Sequence, residues 1–291
     1  MGLFAMNYGT CGDPANTVRV AQAAEEAGFE SLWTGEHIVL PDPMLPSFPL
    51  PSDTPMLDTI VSLTWIAAHT KRLRIGSGIL VLPLRNPVVL AKELASLDIV
   101  SQGRLMVGVG VGWLEPEFEA VGVPMQGRGA KMDDALRAMR ALWTMDHPEH
   151  HGPSASFAHV VSYPRPQQRP MPPIVIAGDS PAALRRAVKM GNGWYGFALT
   201  VEKAREHIEG LRRAAEQHER PAELGDLEIT VTPVGTFDER SVEAYALAGV
   251  HRLVVLPKPD ASRAERHLSI PVDEIVGNIE RVSQIARRVA G

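Results

Sequence analysis

The pattern of apolar and polar positions divides the chain into alternating strands and helices, most clearly between Leu73 and Trp113. Residues 73–82 form an apolar run interrupted by one arginine, one serine and two glycines, which is typical of a strand covered on both faces. Apolar positions then recur at helical spacing over Pro87–Val100. Gly103 turns the chain into a second apolar strand, Arg104–Gly110. We therefore predict a strand–helix–strand unit with glycines at the carboxyl ends of both strands.

The same alternation recurs along the chain and predicts eight strands, each followed by a helix. The strands are predicted at 3–8, 30–34, 73–82, 104–110, 174–177, 193–197, 227–233 and 251–256, and the helices near 13–27, 57–70, 87–100, 128–145, 180–190, 200–219, 238–248 and 272–289. Eight such units in 291 residues indicate one domain, 1–291, that is a closed (β/α)8 barrel. Residues 146–173 break the rhythm and predict a small hairpin excursion between helix four and strand five.

Composition and charge narrow the class of protein. A formal charge of −5 and a pI near 6.1 show no basic footprint, so nucleic acid is excluded as an expected partner. No apolar run approaches the roughly 18 residues of a membrane span, so we expect no membrane association. One cysteine, Cys11, excludes an intrachain disulfide and fits a reducing compartment. The first residues show no secretory pattern, and we expect a cytoplasmic protein.

The glycines Gly108, Gly110 and Gly112 invite comparison with a dinucleotide-binding loop. That fingerprint requires glycines at relative positions 1, 3 and 6, and the sixth position here is Trp113. A strand end at which the backbone closely approaches another group fits better. The structural alternative is barrel packing, in which small residues make room for large neighbours.

Two further groups of polar residues follow predicted strands. Glu36 and His37 end the second strand, at the barrel edge where catalytic residues of such folds lie, so His37 is a candidate for proton transfer. Glu36 is a second candidate, with the alternative that it orients the histidine or caps the next loop. The turn Gly178–Ser180 precedes a helix and can bind a phosphate through backbone N–H groups, although Ser180 is also an ordinary N-cap. The histidines at 147, 150 and 151 lie among prolines and do not indicate a metal site.

Several segments together resemble the bacterial luciferase-like oxidoreductases, in particular the branch that uses the deazaflavin coenzyme F420. The resemblance covers almost the whole chain and is carried by residues 23–37, 75–122, 128–143, 163–187 and 190–197. It implies a (β/α)8 barrel that holds an isoalloxazine or deazaisoalloxazine ring at its carboxyl edge.

The resemblance also implies roles for individual residues. A bulge with a non-prolyl cis peptide at Gly78–Ile79 would support the ring, and Gly110, Gly112 and Trp113 would run beside it. Glu36 and His37 match an acidic–histidine pair near the reacting edge of the ring. Gly178, Asp179 and Ser180 match a turn that contacts the phosphate. Some sugar-phosphate dehydrogenases of this branch carry a catalytic glutamate where this chain has Trp113, so that substrate and mechanism do not carry over.

The expected function is hydride transfer between F420 and a small organic substrate, in a homodimer. The alternatives are an FMN-dependent monooxygenase that uses reduced flavin and oxygen, and a non-catalytic flavin-binding homologue. Two long loops, 41–55 and 114–127, are expected to exclude water from the site.

Overall fold

The computed structural model describes residues 1–45, 50–260 and 270–290. The strands are β1 (Gly2–Leu3), β2 (Ser31–Thr34), β3 (Arg74–Ser77), β4 (Leu80–Val81), β5 (Leu105–Gly110), β6 (His150–His151), β7 (Ser156–Phe157), β8 (Ile174–Ala177), β9 (Gly193–Leu199), β10 (Glu228–Pro233) and β11 (Arg252–Val255). The α-helices are α1 (Pro14–Ala27), α2 (Thr59–His69), α3 (Pro87–Val100), α4 (Glu115–Val121), α5 (Arg128–Thr144), α6 (Pro181–Met190), α7 (Val201–Gln217), α8 (Glu239–Leu247) and α9 (Val272–Ala290).

The predicted (β/α)8 barrel is confirmed. The parallel strands follow the order β3-β2-β1-β11-β10-β9-β8-β5, and pairing of β3 with β5 closes the ring. Strands β3 and β4 both pair with β5 and together form one strand of the barrel, which therefore has eight strand positions. Each position is followed by at least one helix. The excursion between α5 and β8 contains the predicted hairpin, formed by antiparallel β6 and β7.

Local sequence signals explain where the helices begin and end. Asp13 accepts hydrogen bonds from the N–H groups of Ala15 and Asn16, both at 2.9 Å, and so caps the first turn of α1. Gly28 ends the helix with a φ of 84°, which favours glycine because it has no Cβ. Helix α3 has the predicted bounds, with Asn86 as its N-cap.

The first strand is shorter than the predicted 3–8. Ala5 has a φ of 67°, so the extended conformation does not continue past it. The segment still pairs with its neighbours, since the N–H of Phe4 donates to Val255 and that of Met6 donates to Trp33. The shorter strand therefore leads directly into the loop at the carboxyl edge of the barrel.

Two apolar layers hold the barrel together. The larger lies between strands and helices, and the smaller is composed of Phe4, Ala5, Trp33, Met106, Val175, Tyr195, Val254 and Leu256. We call the smaller set the interior cluster. No helix among the described residues is long and apolar enough to cross a membrane. Part of the predicted loop 41–55, residues 46–49, lies outside the described residues.

Candidate active site at the carboxyl edge of the barrel

The candidate residues lie at one edge of the barrel, where parallel strands end. They follow four strand positions: Glu36 and His37 after β2, Gly78 and Ile79 after β3, Gly110 to Trp113 at the end of β5, and Gly178 to Ser180 after β8. The topology thus gathers segments that are up to 144 residues apart in the chain (36 to 180).

The predicted bulge and cis peptide at Gly78–Ile79 are confirmed. Gly76 pairs with Met106, and Leu80 pairs with Val109. The five residues from Gly76 to Leu80 therefore lie opposite the four residues from Met106 to Val109 on β5. One extra residue opposite an unbroken partner defines a β-bulge. Ile79 packs against the interior cluster and is half-buried at the edge of the barrel.

The glycines of β5 and its loop make room for side chains and backbone of the protein itself. A Cβ on Gly110 would lie 2.9 Å from Cγ2 of Ile79, and one on Gly112 would lie 2.5 Å from Cγ1 of Val81. A Cβ on Gly108 would collide with the carbonyl oxygen of Ser77. The alternative of barrel packing therefore explains these glycines, and they act on the site by letting the bulge approach β5. Direct contact of Gly110 and Gly112 with a cofactor stays a prediction.

Glu36 is held in a buried ion pair. Its Oε1 accepts a hydrogen bond from Nε of Arg85 at 2.9 Å and another from the Nη2 group of the same residue. Its Oε2 accepts the N–H of Val81, which follows the bulge. Only 3% of the Glu36 side chain is exposed and both oxygens are engaged, which favours a structural role in joining the end of β2 to β4 and Arg85. This role differs from both expected alternatives, and a catalytic role of Glu36 stays a prediction.

Arg85 also pairs with a second carboxylate. Its Nη2 lies 3.0 Å from Oδ2 of Asp58, the N-cap residue of α2. Burial lowers the pKa of Arg85, but the carboxylates of Glu36 and Asp58 outweigh this effect and raise the pKa above its ordinary value. Sequence reasoning missed Arg85, and only the fold brings it to Glu36.

His37 pairs with a carboxylate that sequence reasoning also missed. Its Nδ1 lies 3.3 Å from Oε2 of Glu117, a residue in the first turn of α4. The other oxygen of Glu117 accepts the N–H of Ile38. Only 1% of the Glu117 side chain is exposed, against 17% for His37. The predicted water-excluding loop 114–127 thus contains a helix that delivers a buried carboxylate to the candidate histidine.

Two partly exposed aromatic rings pack against His37 and the interior cluster. The Trp113 ring meets that of His37 edge-on, with centroids 6.3 Å apart and planes at 89°, and 53% of Trp113 is exposed. Phe197, near the end of β9, is 50% exposed, and its ring centroid lies 5.1 Å from that of Phe4 in the interior cluster. These partly uncovered rings provide apolar surface of the kind that packs against a flat ligand.

The turn Gly178–Ser180 has the conformation of a helix start. Gly178 has a φ of 116°, and its carbonyl accepts Nε1 of Trp194 at 2.8 Å. The Ser180 hydroxyl accepts the N–H of Ala183 at 3.2 Å, which confirms its expected capping role. The turn is exposed, and α6 follows it with Pro181, which has no N–H, as its first residue. Phosphate binding by Gly178, Asp179 and Ser180 stays a prediction.

The histidines of the excursion have other partners. Nε2 of His150 lies 3.0 Å from Oδ1 of Asp134, and Nε2 of His151 lies 2.9 Å from Oε1 of Glu149. Within 1–45, 50–260 and 270–290, no three histidine, cysteine or acidic side chains come together as a metal site.

Comparison with known proteins decides the family. A model described as luciferase-like monooxygenase matches residues 2–277. The chain belongs to this family. A relative from Mycobacterium tuberculosis, described as an uncharacterised protein, is 34% identical over 182 residues. That match covers 60% of this chain and 64% of the relative, so it spans slightly less than two thirds of the relative's length.

Proteins that are similar to this chain differ in the cofactor that their names state. The oxygenase component of a flavin-dependent trigonelline monooxygenase from Acinetobacter baylyi is 31% identical over 211 residues, covering 70% of this chain and 55% of that protein. An F420-dependent secondary alcohol dehydrogenase, solved with an F420–acetone adduct, superimposes with a TM-score of 0.78 at 16% identity. That superposition covers 99% of this chain and 98% of the dehydrogenase, and it shows a shared fold.

Proposed function

We propose that this luciferase-like chain is an F420-dependent oxidoreductase that transfers hydride between the deazaflavin and a small organic substrate. The observation that carries the proposal is the His37–Glu117 pair beside the confirmed bulge. Hydride transfer to or from a carbon that bears an O–H or N–H group also moves a proton, and this pair can accept or donate it. The likeness to the alcohol dehydrogenase over 98% of that chain supports the proposal.

The residues present fit a flat, phosphate-bearing cofactor. Ile79 at the bulge would support one face of the ring, and the partly uncovered Trp113 and Phe197 would cover apolar surface around it. Pro181 has no N–H and that of Ala183 donates to Ser180, so the N–H groups of the turn and of Ala182 would bind the phosphate. The exposed Asp179 carboxylate, which repels an anion, would turn to solvent. When bound, the deazaflavin supplies the hydride chemistry itself.

The chain's own residues would position the substrate and exclude water. His37 lies at the edge of the site and would hydrogen-bond the substrate or exchange its proton. Helix α4 covers this side of the barrel, because Phe118 is buried and Glu117 bonds to the loop after β2. The Glu36–Arg85 pair would keep the bulge in place without contacting the substrate. Homodimerisation also stays a prediction, which the molar mass in solution tests.

An FMN-dependent monooxygenase is the second candidate, because the trigonelline oxygenase component is 31% identical to this chain. Turnover separates the two. With reduced F420 and a panel of small acceptors, we expect oxidation of the deazaflavin coupled to acceptor reduction, without oxygen consumption. Substrate-dependent oxygen consumption with reduced FMN, and no turnover with F420, would replace the proposal by the monooxygenase. A bound cofactor that never exchanges hydride would favour the non-catalytic homologue.

A further inference from the structure

A buried carboxylate holds both the main chain and the ring of the candidate base. Oε1 of Glu117 accepts the N–H of Ile38, and Oε2 lies 3.3 Å from Nδ1 of the preceding residue, His37. The Glu117 side chain is 1% exposed, so it faces the protein and not the solvent. It therefore reaches the site through His37.

Burial of this carboxylate requires hydrogen-bond donors. A buried charged group is costly unless it is paired and hydrogen-bonded. The Ile38 N–H can only donate, and it satisfies one oxygen. The second oxygen meets the ring nitrogen of His37, which donates only if it carries a hydrogen. An ionised Glu117 consequently favours the form of the His37 ring that carries a hydrogen on Nδ1.

The neighbouring carboxylate does not compete for the histidine. Both oxygens of Glu36 are engaged, one by Arg85 and one by the N–H of Val81. Trp113 meets the His37 ring edge-on from another side. The contacts with Glu117 and Trp113 restrict the orientation of the imidazole, and the contact with Glu117 distinguishes its two nitrogens.

We propose that Glu117 is a positioning residue: it accepts the hydrogen bond of Nδ1–H of His37 and thereby makes Nε2 of the neutral ring the proton acceptor of the active site. In substrate oxidation the O–H or N–H bond of the substrate would break and an Nε2–H bond would form, while an oxidised deazaflavin, when bound, would supply the acceptor for the hydride of the substrate carbon. Glu117 then stabilises the positive imidazolium. The proton-transfer step rests on the proposed function, whereas the form of the ring does not.

Nitrogen NMR of the protein labelled with ¹⁵N-histidine tests the assignment without cofactor or substrate. Spectra are recorded near pH 9, where an ordinary histidine of pKa about 6.5 is neutral. The His37 signals are identified by their loss in His37→Ala. We expect a protonated Nδ1 and an unprotonated Nε2 in the unaltered protein. A protonated Nε2 would overturn the proposal, and this measurement needs no variant at Glu117.

A variant and its control test whether Glu117 determines which nitrogen of His37 carries the hydrogen. Glu117→Gln keeps the shape but adds an N–H donor, so we expect the population of Nε2-protonated ring to rise. The matched control is Glu119→Gln, an exposed position in the same helix, which should leave the signals unchanged. Unchanged His37 signals in a folded Glu117→Gln protein would overturn the proposal. If the proposed turnover is found, Glu117→Gln should lower kcat by about 100-fold with little change in cofactor affinity.

Discussion

Arg85 binds the Glu36 carboxylate through two of its nitrogens, with Nε at 2.9 Å from Oε1. The other carboxylate oxygen accepts the N–H of Val81, the second residue of β4. One buried ion pair thus joins the loop after β2 to the chain that leaves the bulge. We infer that this ion pair stabilises the loops at the carboxyl edge of the barrel.

Replacement of Arg85 by methionine should destabilise the protein strongly. It would leave Glu36 buried with one donor, and breaking a buried pair on one side costs about 3–5 kcal/mol. We expect Arg85→Met to lower the free energy of unfolding by that amount in urea denaturation. The double variant Arg85→Met/Glu36→Gln should lose less than the sum of the single variants. A loss below about 1 kcal/mol in Arg85→Met would contradict a structural role of the pair.

Alanine at Gly110 should weaken cofactor binding. The added Cβ would lie 2.9 Å from Ile79 Cγ2, so the side chain at the bulge must move. We expect the Kd for the deazaflavin to rise by about tenfold, which equals about 1.4 kcal/mol. The control is Gly277→Ala in α9, where a Cβ meets nothing within 4 Å. Equal affinities of the two variants would argue against Ile79 as the support of the ring.

Removal of the His37 imidazole should affect turnover and not cofactor binding. His37→Ala eliminates the proton acceptor, whose contribution as a general acid–base catalyst is about 100-fold or more. We therefore expect kcat to fall by about that factor while the Kd for the cofactor stays unchanged. His69→Ala, at the last residue of α2, is the control. Full turnover in His37→Ala would show that the assigned role is wrong.

Glu25 should make the stability dependent on pH. Its carboxylate accepts the N–H groups of Lys71, Arg72 and Leu73 at 2.9, 2.6 and 3.1 Å. Burial raises the pKa of Glu25, but these bonds outweigh it and hold the pKa below its ordinary value. Because the folded pKa is the lower one, the stabilisation is present above the unfolded pKa and is lost as pH falls through the folded pKa.

The measurement is a comparison of Glu25→Gln with the unaltered protein across pH. We expect the variant to be less stable by about 1–2 kcal/mol above roughly pH 5, with the difference shrinking below about pH 4. Glu26→Gln, the exposed neighbouring position, should show no such trend. A difference that is constant from pH 3 to 7 would exclude ionisation as its cause.

The barrel could be predicted from the sequence because its strands and helices are marked by local patterns of apolar residues and by capping residues. The helix α3 has the predicted bounds, Pro87–Val100, since a capping residue, a proline and helical spacing coincide there. The bulge is different. The apolar pattern over 73–82 continues through Gly78 and Ile79, so periodicity predicts one strand, and only the family resemblance indicated the interruption.

The candidate site could be predicted only in part. The strand ends located His37 and Glu36, but not their partners, since Glu117 lies 80 residues from His37 and Arg85 lies 49 residues from Glu36. In the sequence, Glu117 is one of three acidic residues in a short segment, and nothing in that pattern marks it as the buried one. The sequence predicted that the glycines of β5 lie at the site, but the groups for which they make room belong to the neighbouring strand and could not be predicted.

Titration of the purified protein with oxidised F420, and in parallel with FMN, tests the central claim most directly. Absorbance or fluorescence of each cofactor reports binding. We predict saturable binding of F420 at one molecule per chain and no saturable binding of FMN over the same concentration range. Saturable binding of FMN without binding of F420 would contradict the assignment to the deazaflavin branch.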